Sequence, residues 1–220
     1  AALSRWDTDI AQASQKGWYR NQSTIDLAQK ISKVNETTLT VGGIVVYGVA
    51  RLTRSRTVAD VALHATESVV LASVASQLIR GPLGRSRPFV TKDTDQYDFS
   101  AGKGFREFSN RAFPSIHTSS SMAMATVLTM ELHRRHSEAT PFVAPILFAA
   151  GMLPGLARIR LDQHWASDVA SGAIMGVWAG YKVVSYSHAH PNNRFDRVLL
   201  GASIMPDPHG GLAIGFNPTF

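Results

Sequence analysis

The sequence predicts an all-α chain: a single helical-bundle domain with a small C-terminal β-hairpin. Three observations predict it. Hydrophobic residues make up 45% of the 220-residue chain and charged residues only 17%, an apolar balance that favours an ordered body with a large core. Apolar residues recur at helical spacing in a series of segments from Ser4 to Ser187. Apart from the ambiguous Asn35–Ala50, β-prone runs appear only after His188-Ala189-His190-Pro191. Residues 1–195 are therefore expected to form the helical domain, and 196–220 a hairpin appendage of it.

Ser4–Lys16 and Ser23–Lys33 read as amphipathic helices, with Asp7 and Asp9 near the positive end of the first. Asn35–Ala50 is apolar and suits a helix or a strand; its helical neighbours favour helix. Arg51–Arg56 is a basic connector. In Thr57–Arg80 the residues Val58, Val61, Ala62, Ala65, Val69, Ala72 and Ala75 keep a near-3.6 period, with small side chains that allow close packing. Gly81–Arg111 is rich in glycine, proline and mixed charge, a long loop of the kind that carries function. Ser115–Arg135, Pro141–Leu156 and His164–Ser187 resume the helical pattern. Val198–Met205 and Gly211–Phe216 flank Pro206-Asp207-Pro208-His209-Gly210, a turn between two strands.

The chain has no cysteine, so disulfides, zinc–thiolate sites and thiol catalysis are excluded. A net charge of +6 and a pI of about 9.9 point to an anionic partner. The cations crowd into one third of the chain with little of the interleaved aromatic patterning that a stacking platform needs, which is not the pattern of a nucleic-acid surface. Ala112–Met130 and Ala139–Ala157 are uncharged for a length close to a bilayer span. The Thr118–Ser121 polar run in the first and Pro141, Pro145 and Pro154 in the second make buried core helices the expectation, and the chain is read as soluble or peripherally attached. It opens at Ala1 without a methionine or an apolar leader, and is read as either a mature chain after cleavage or a trimmed piece of a longer one.

Chemistry concentrates in three stretches. In Arg158-Ile159-Arg160-Leu161-Asp162-Gln163-His164-Trp165-Ala166-Ser167-Asp168, helical spacing after Gln163 would put His164 and Asp168 one turn apart. A carboxylate there can hold one imidazole proton and leave the other nitrogen free to attack. Arg158 offers a forked donor for a tetrahedral oxyanion. Arg80-Gly81-Pro82-Leu83-Gly84-Arg85-Ser86-Arg87-Pro88 supplies cations where a helix gives way to a loop. Pro114-Ser115-Ile116-His117 opens a helix, whose free amides suit an anion. Singly, each stretch is explained by surface charge or an ordinary cap. His133-Arg134-Arg135-His136 reads as a solvated helix end, and His188 with His190 as an exposed linker.

Together, in order and at matching spacing, these stretches resemble the signature of the type 2 phosphatidic acid phosphatase superfamily, which includes class A acid phosphatases and vanadium haloperoxidases. That signature runs Lys, six residues, Arg-Pro; Pro-Ser-Gly-His; Ser-Arg, five residues, His, three residues, Asp. Arg80 stands in place of its lysine, Ile116 in place of its glycine and Ala157 in place of its serine.

The resemblance implies a helical bundle of the acid phosphatase/vanadium haloperoxidase type. It also implies a phosphoric ester hydrolase with no cofactor and no metal. In that scheme His164 is the nucleophile, His117 the acid and Asp168 the orienting carboxylate. Arg80, Arg87, Arg158, Ser115 and the amide of Ile116 bind phosphate. The substrate is a lipid-linked or small soluble phosphate, and the setting is the bacterial periplasm or a membrane surface. Two alternatives stay open. One is a vanadate-dependent haloperoxidase, although such enzymes are expected to be longer. The other is a membrane-associated helical protein whose site has degenerated at Ile116.

Overall fold

The computed structural model describes residues 3–16, 21–191, 193, 196 and 198, and the backbone of 202–206 and 212–216. A 3₁₀ turn, Leu3–Trp6, leads into α1 (Asp7–Gln15). There follow α2 (Gln22–Ile31), α3 (Glu36–Leu52) and α4 (Arg56–Leu83). The connection between α4 and α6 carries a single turn, α5 (Pro88–Thr91), and two 3₁₀ turns. The long helices α6 (Ile116–Arg134), α7 (Thr140–Arg160) and α8 (Ala166–Ala189) complete the bundle. Strands β1 (Ala202–Pro206) and β2 (Leu212–Phe216) pair antiparallel, with Ile204 opposite Ile214.

Helix α6 stands at the centre, packed against α4, α7 and α8. Its fit against α8 follows from glycines spaced one turn apart on a single face. A Cβ at Gly172, Gly176 or Gly180 would lie 2.5, 2.3 or 2.7 Å from the carbonyl oxygen of Ser115, Ser119 or Ala123. The two backbones therefore touch, and no larger residue fits. On its other sides the polar run of α6 is spent on neighbours. Ser119 Oγ meets Ser76 Oγ at 2.9 Å, Ser120 Oγ meets Ser73 Oγ at 3.0 Å, and Ser121 Oγ donates to Gly151 O at 2.6 Å. Buried hydroxyls of this kind join apolar helices without leaving a polar group unpaired.

The expectation of a buried core helix holds for α6 and is corrected for α7. Only 22% of the most apolar stretch of α7 is buried, and Phe142, Ile146, Leu153 and Leu156 lie on its outside. An uncharged run has the same composition whether neighbouring helices or something apolar outside the bundle covers it, so sequence could not separate the two. Ile44, Val45 and Val49 on α3, Val74 and Leu78 on α4, and Ile174 and Trp178 on α8 are exposed in the same way. Helices α4 and α7 are both long and apolar enough to cross a membrane.

The long connection is folded rather than loose. Gly84 ends α4 in the left-handed conformation, φ 59°, with its N–H on Arg80 O at 3.2 Å. A side chain there would run into Ser100 O. Ser86 N donates to Asp98 O, Arg87 N to Ser109 O and Ala112 N to Arg85 O, at 2.9–3.0 Å. These bonds lay the connection across one end of the bundle, where α4 and α7 finish and α6 and α8 begin.

Candidate active site

The phosphate-site residues expected from sequence all belong to that end. Arg80 comes from the last turn of α4, Arg87 from the connection, and Ser115, Ile116 and His117 from the start of α6. Arg158 comes from the last turn of α7, His164 from the short link after it, and Asp168 from the first turn of α8. Arg80, Arg87, Ser115, Ile116, His164 and Asp168 are buried; His117 and Arg158 are half-buried. The charges of Arg80, Arg87 and Arg158 all act on both His117 and His164.

His164 precedes α8 instead of opening it, and this changes its partner. Its Nδ1 donates to the main-chain oxygen of Ala112 at 2.8 Å and stands 3.6 Å from Asp168 Oδ2. Asp168 instead receives the Trp165 N–H at 2.8 Å, reaching back across the first turn of α8. Nε2 of His164 is buried and has no partner. Burial first, then the three arginine charges, hold this imidazole well below its ordinary 6.5. The ring is thus neutral, with Nδ1 tied down and the Nε2 lone pair free.

The arginines are steered by neutral groups, so their charge stays available. Arg80 uses Nε and Nη2 on the carbonyl of Arg111, at 2.9 and 2.6 Å. Gln163 Oε1 accepts from both Arg87 Nη1 and Arg158 Nη2, the latter at 3.1 Å. The Arg87 guanidinium lies 3.9 Å over the Phe108 ring. Burial and then the charges of Arg158 and Arg80 pull Arg87 down to about 9, with Asp168 offsetting only part of the effect.

Ser115 Oγ accepts from Thr118 Oγ1 at 3.0 Å, which leaves its own proton free to donate. No side chain caps α6, so the amides of its first turn point outward unpaired. The Ile116 side chain is buried, which leaves its amide as its polar contribution.

A second layer was not legible as such in the sequence. Arg85, 2% exposed, holds Asp168 Oδ1 through Nη1 at 2.5 Å and Asp7 Oδ2 through Nη2 at 2.8 Å. Asp7 in turn accepts from Ser167 N at 2.8 Å and Ser167 Oγ at 2.5 Å. Trp165 is fully buried and donates Nε1 to Ser86 O at 2.9 Å, so it packs beneath the site. Gln163 could have been suspected from its place beside His164. Ala112 gives a sequence no signal, because only its carbonyl is used.

Comparison with known proteins gives the family. The family model described as the PAP2 superfamily matches residues 61–191, which takes in every motif above. The chain belongs to the PAP2 superfamily. Among curated PAP2 relatives, a lipid A 1-phosphatase from Rhizobium johnstonii is 27% identical over 111 residues, covering 50% of this chain and 41% of that protein. A lipid A 1-phosphatase from Porphyromonas gingivalis is 33% identical over 69 residues, 31% of this chain and 15% of the relative. The chain thus spans less than half the length of these relatives. The crystal structure of a transmembrane PAP2-type phosphatidylglycerolphosphate phosphatase from Bacillus subtilis shares the fold. Its TM-score is 0.65 at 19% identity, over 88% of this chain and 89% of the other.

Proposed function

We propose that this PAP2 protein is a phosphatase that cleaves a lipid-linked phosphomonoester or pyrophosphate through a phosphohistidine on His164, without a metal ion. One observation carries the reading. Arg87 Nε, Arg158 Nε, His117 Nδ1 and His164 Nε2 are buried polar atoms without hydrogen-bond partners, on residues that act on one another electrically. Buried polar atoms are rarely left unpaired, and a group of them calls for a ligand. Three cations with two imidazoles suit a phosphate dianion.

In the first step His164 Nε2 attacks phosphorus and the bond from phosphorus to the ester oxygen breaks. The Ala112 carbonyl holds the Nδ1 proton and supports the positive charge that grows on the ring. His117 gives its proton to the departing oxygen. Burial first, then the charges of Arg158, Arg80 and Arg87, hold His117 down at about 3 in the ligand-free protein. The substrate's negative charges offset the arginines, which moves His117 towards its protonated form once substrate is bound. In the second step water attacks phosphorus, His117 takes a water proton, and the P–N bond breaks to free phosphate and neutral His164. Arg80, Arg87, Arg158, Ser115 and the first amides of α6 stabilise the oxygens throughout. The guanidinium groups supply the charge neutralisation that a divalent ion supplies in other phosphoryl-transfer sites.

The exposed apolar faces of α3, α4, α7 and α8 support a bundle embedded in a membrane rather than only attached to it. The site lies where α4 and α7 end and α6 and α8 begin, so it opens at one membrane surface, which for an exported bacterial protein is the periplasmic one. The named activities of the relatives, on lipid A and on phosphatidylglycerolphosphate, fit a lipid headgroup held at that surface.

Phosphate release from lipid A, phosphatidylglycerolphosphate and a soluble chromogenic ester, each with and without chelator, tests the proposal. Chelator-resistant release from a lipid substrate, with an acid-labile phosphoenzyme lost in His164→Ala, is the expected result. Full activity in His164→Ala would remove the nucleophile, and chelator-sensitive turnover would remove metal independence.

A further inference from the structure

A second cluster of ionisable groups occupies the opposite end of the bundle. Asp60 and His64 lie one turn apart near the start of α4, Glu131 near the end of α6 and His188 in the last turn of α8. At 1.5 Å per residue the cluster stands roughly 24 Å from Arg80 along α4 and roughly 30 Å from Asp168 along α8. Each of the four offers one potential ligand atom, and all these atoms lie within 4.8 Å of one another.

The hydrogen bonding there is incomplete in a telling way. Glu131 Oε1 is 2.8 Å from His64 Nδ1 and 2.8 Å from His188 Nε2. A carboxylate oxygen only accepts, so both ring nitrogens present protons to it. The other nitrogen of His64, Nε2, belongs to a side chain 1% exposed and has no hydrogen-bond partner. Facing it are Asp60 Oδ1 at 3.6 Å and Asp196 Oδ2 at 3.8 Å. On a neutral ring that is a lone pair aimed at two carboxylates. Arg135, bonded to Glu131 Oε2 at 2.6 Å and 3.5 Å from Asp60 Oδ2, is the one guanidinium paired with these acids among the described residues. Three carboxylates, those of Asp60, Glu131 and Asp196, thus converge on His64 with a single guanidinium beside them.

We propose that it binds one divalent transition-metal ion of the Zn²⁺ class, with His64, His188, Glu131 and Asp60 as ligands. Two imidazoles and two carboxylates without sulfur suit such an ion, whereas Ca²⁺ and Mg²⁺ prefer shells built of oxygen. A tetrahedral shell at about 2.0–2.1 Å sets ligand atoms roughly 3.3 Å apart, so small side-chain movements close the site. The ion takes the place now filled by the ring protons on Glu131, and the one proton left on His64 then sits on Nε2, where the carboxylate of Asp196 at 3.8 Å faces it. Arg135 on Glu131 and Asp60 would orient the carboxylates from outside. The ion ties α4, α6 and α8 together far from the phosphate site, which makes its role structural. This reassigns His188 and Arg135, whose sequence context suggested a linker and a solvated helix end.

The test uses the full chain, free of any tag, purified in detergent, stripped with chelator and titrated with Co²⁺ and then Zn²⁺. The expected result is one Co²⁺ per chain with the intense visible bands of tetrahedral cobalt, bleached by Zn²⁺. His188→Ala and Glu131→Gln should weaken affinity at least tenfold, while His117→Ala and His164→Ala still bind one ion. His188 is 27% exposed, and His188→Gln is the fallback if the alanine variant does not fold. Wild-type protein without stoichiometric cobalt, or equal affinity in the His188 variants, overturns the proposal. Loss of binding in the His117 or His164 variants alone would also overturn it, by moving the ion to the phosphate site.

Discussion

His164 is oriented by Ala112: its Nδ1 meets that carbonyl oxygen at 2.8 Å, closer than the 3.6 Å to Asp168 Oδ2. A main-chain carbonyl therefore fixes the tautomer, and the carboxylate adds charge from the side. It follows that the two residues should differ sharply on mutation. His164→Ala should lower turnover by about 10⁴-fold or more, the scale of losing a nucleophile. Asp168→Asn keeps the Ala112 bond, so its loss should stay below about 100-fold. Steady-state phosphate release from both variants checks this, and equal losses would restore Asp168 as the orienting group.

Arg85 makes the opposite case, a cation whose task is structural. It neutralises Asp7 and Asp168, both fully buried. Arg85→Met strands two buried carboxylates, and breaking such a network costs about 3–5 kcal/mol. Thermal or urea unfolding in detergent should show that loss. Arg87→Lys should leave unfolding almost unchanged and reduce turnover, because it keeps charge and loses the fork that reaches Gln163.

Gly172 lies one turn beyond Asp168, and a Cβ there would come within 2.5 Å of Ser115 O. Gly172→Ala should push the start of α6 away from His164. A displacement near 1 Å costs about 100-fold in turnover, with about 1–3 kcal/mol of stability lost to overpacking. Gly42 in α3 has nothing within 4 Å of a built Cβ. Gly42→Ala should leave turnover alone and add about 0.5–1 kcal/mol of stability.

Burial and three arginines hold His164 well below its ordinary 6.5, so it stays neutral in the folded protein while the unfolded chain takes up a proton. The unfolded state then binds more protons, and stability falls as pH falls below 6.5, down to the folded value. The slope contributed by this one group rises towards about 1.4 kcal/mol per pH unit well below 6.5 and averages about 1 between pH 7 and 5. Unfolding of ligand-free protein between pH 7 and 5 should show it, and His164→Asn should flatten the curve by that amount.

Much of this site is legible in sequence because its parts are local. Arg80 to Pro88, Pro114 to His117 and Arg158 to Asp168 are each short enough for helix geometry to bring their residues together. What sequence hides is long-range or chemically silent. Asp7 reaches Ser167 across 160 residues, and Ala112 acts only through its backbone. The bundle itself was readable from apolar periodicity, but the outward face of α7 was not, since periodicity marks a stripe without naming what covers it. His188 was opaque for the same reason: Glu131 meets it from another helix.

The unpaired atoms of Arg87, Arg158, His117 and His164 predict that an anion stabilises the folded protein. Vanadate and phosphate are tetrahedral oxyanions that fit the same donors. A ligand that binds only the folded state adds RT ln(1 + [L]/Kd), about 2.7 kcal/mol at a hundred times Kd. Tm should therefore climb with either anion, and vanadate should inhibit turnover over the same concentration range. Arg87→Met removes a buried guanidinium stacked 3.9 Å over Phe108 and should abolish most of both effects. Its own Tm without anion should equal or exceed the wild-type value, because a cation crowded by Arg158 and Arg80 has been replaced by an apolar side chain. Higher anion-free stability with lost anion response is the signature of a site built to hold phosphate at the expense of the empty fold, and a variant that keeps the full anion response would show that phosphate binds elsewhere.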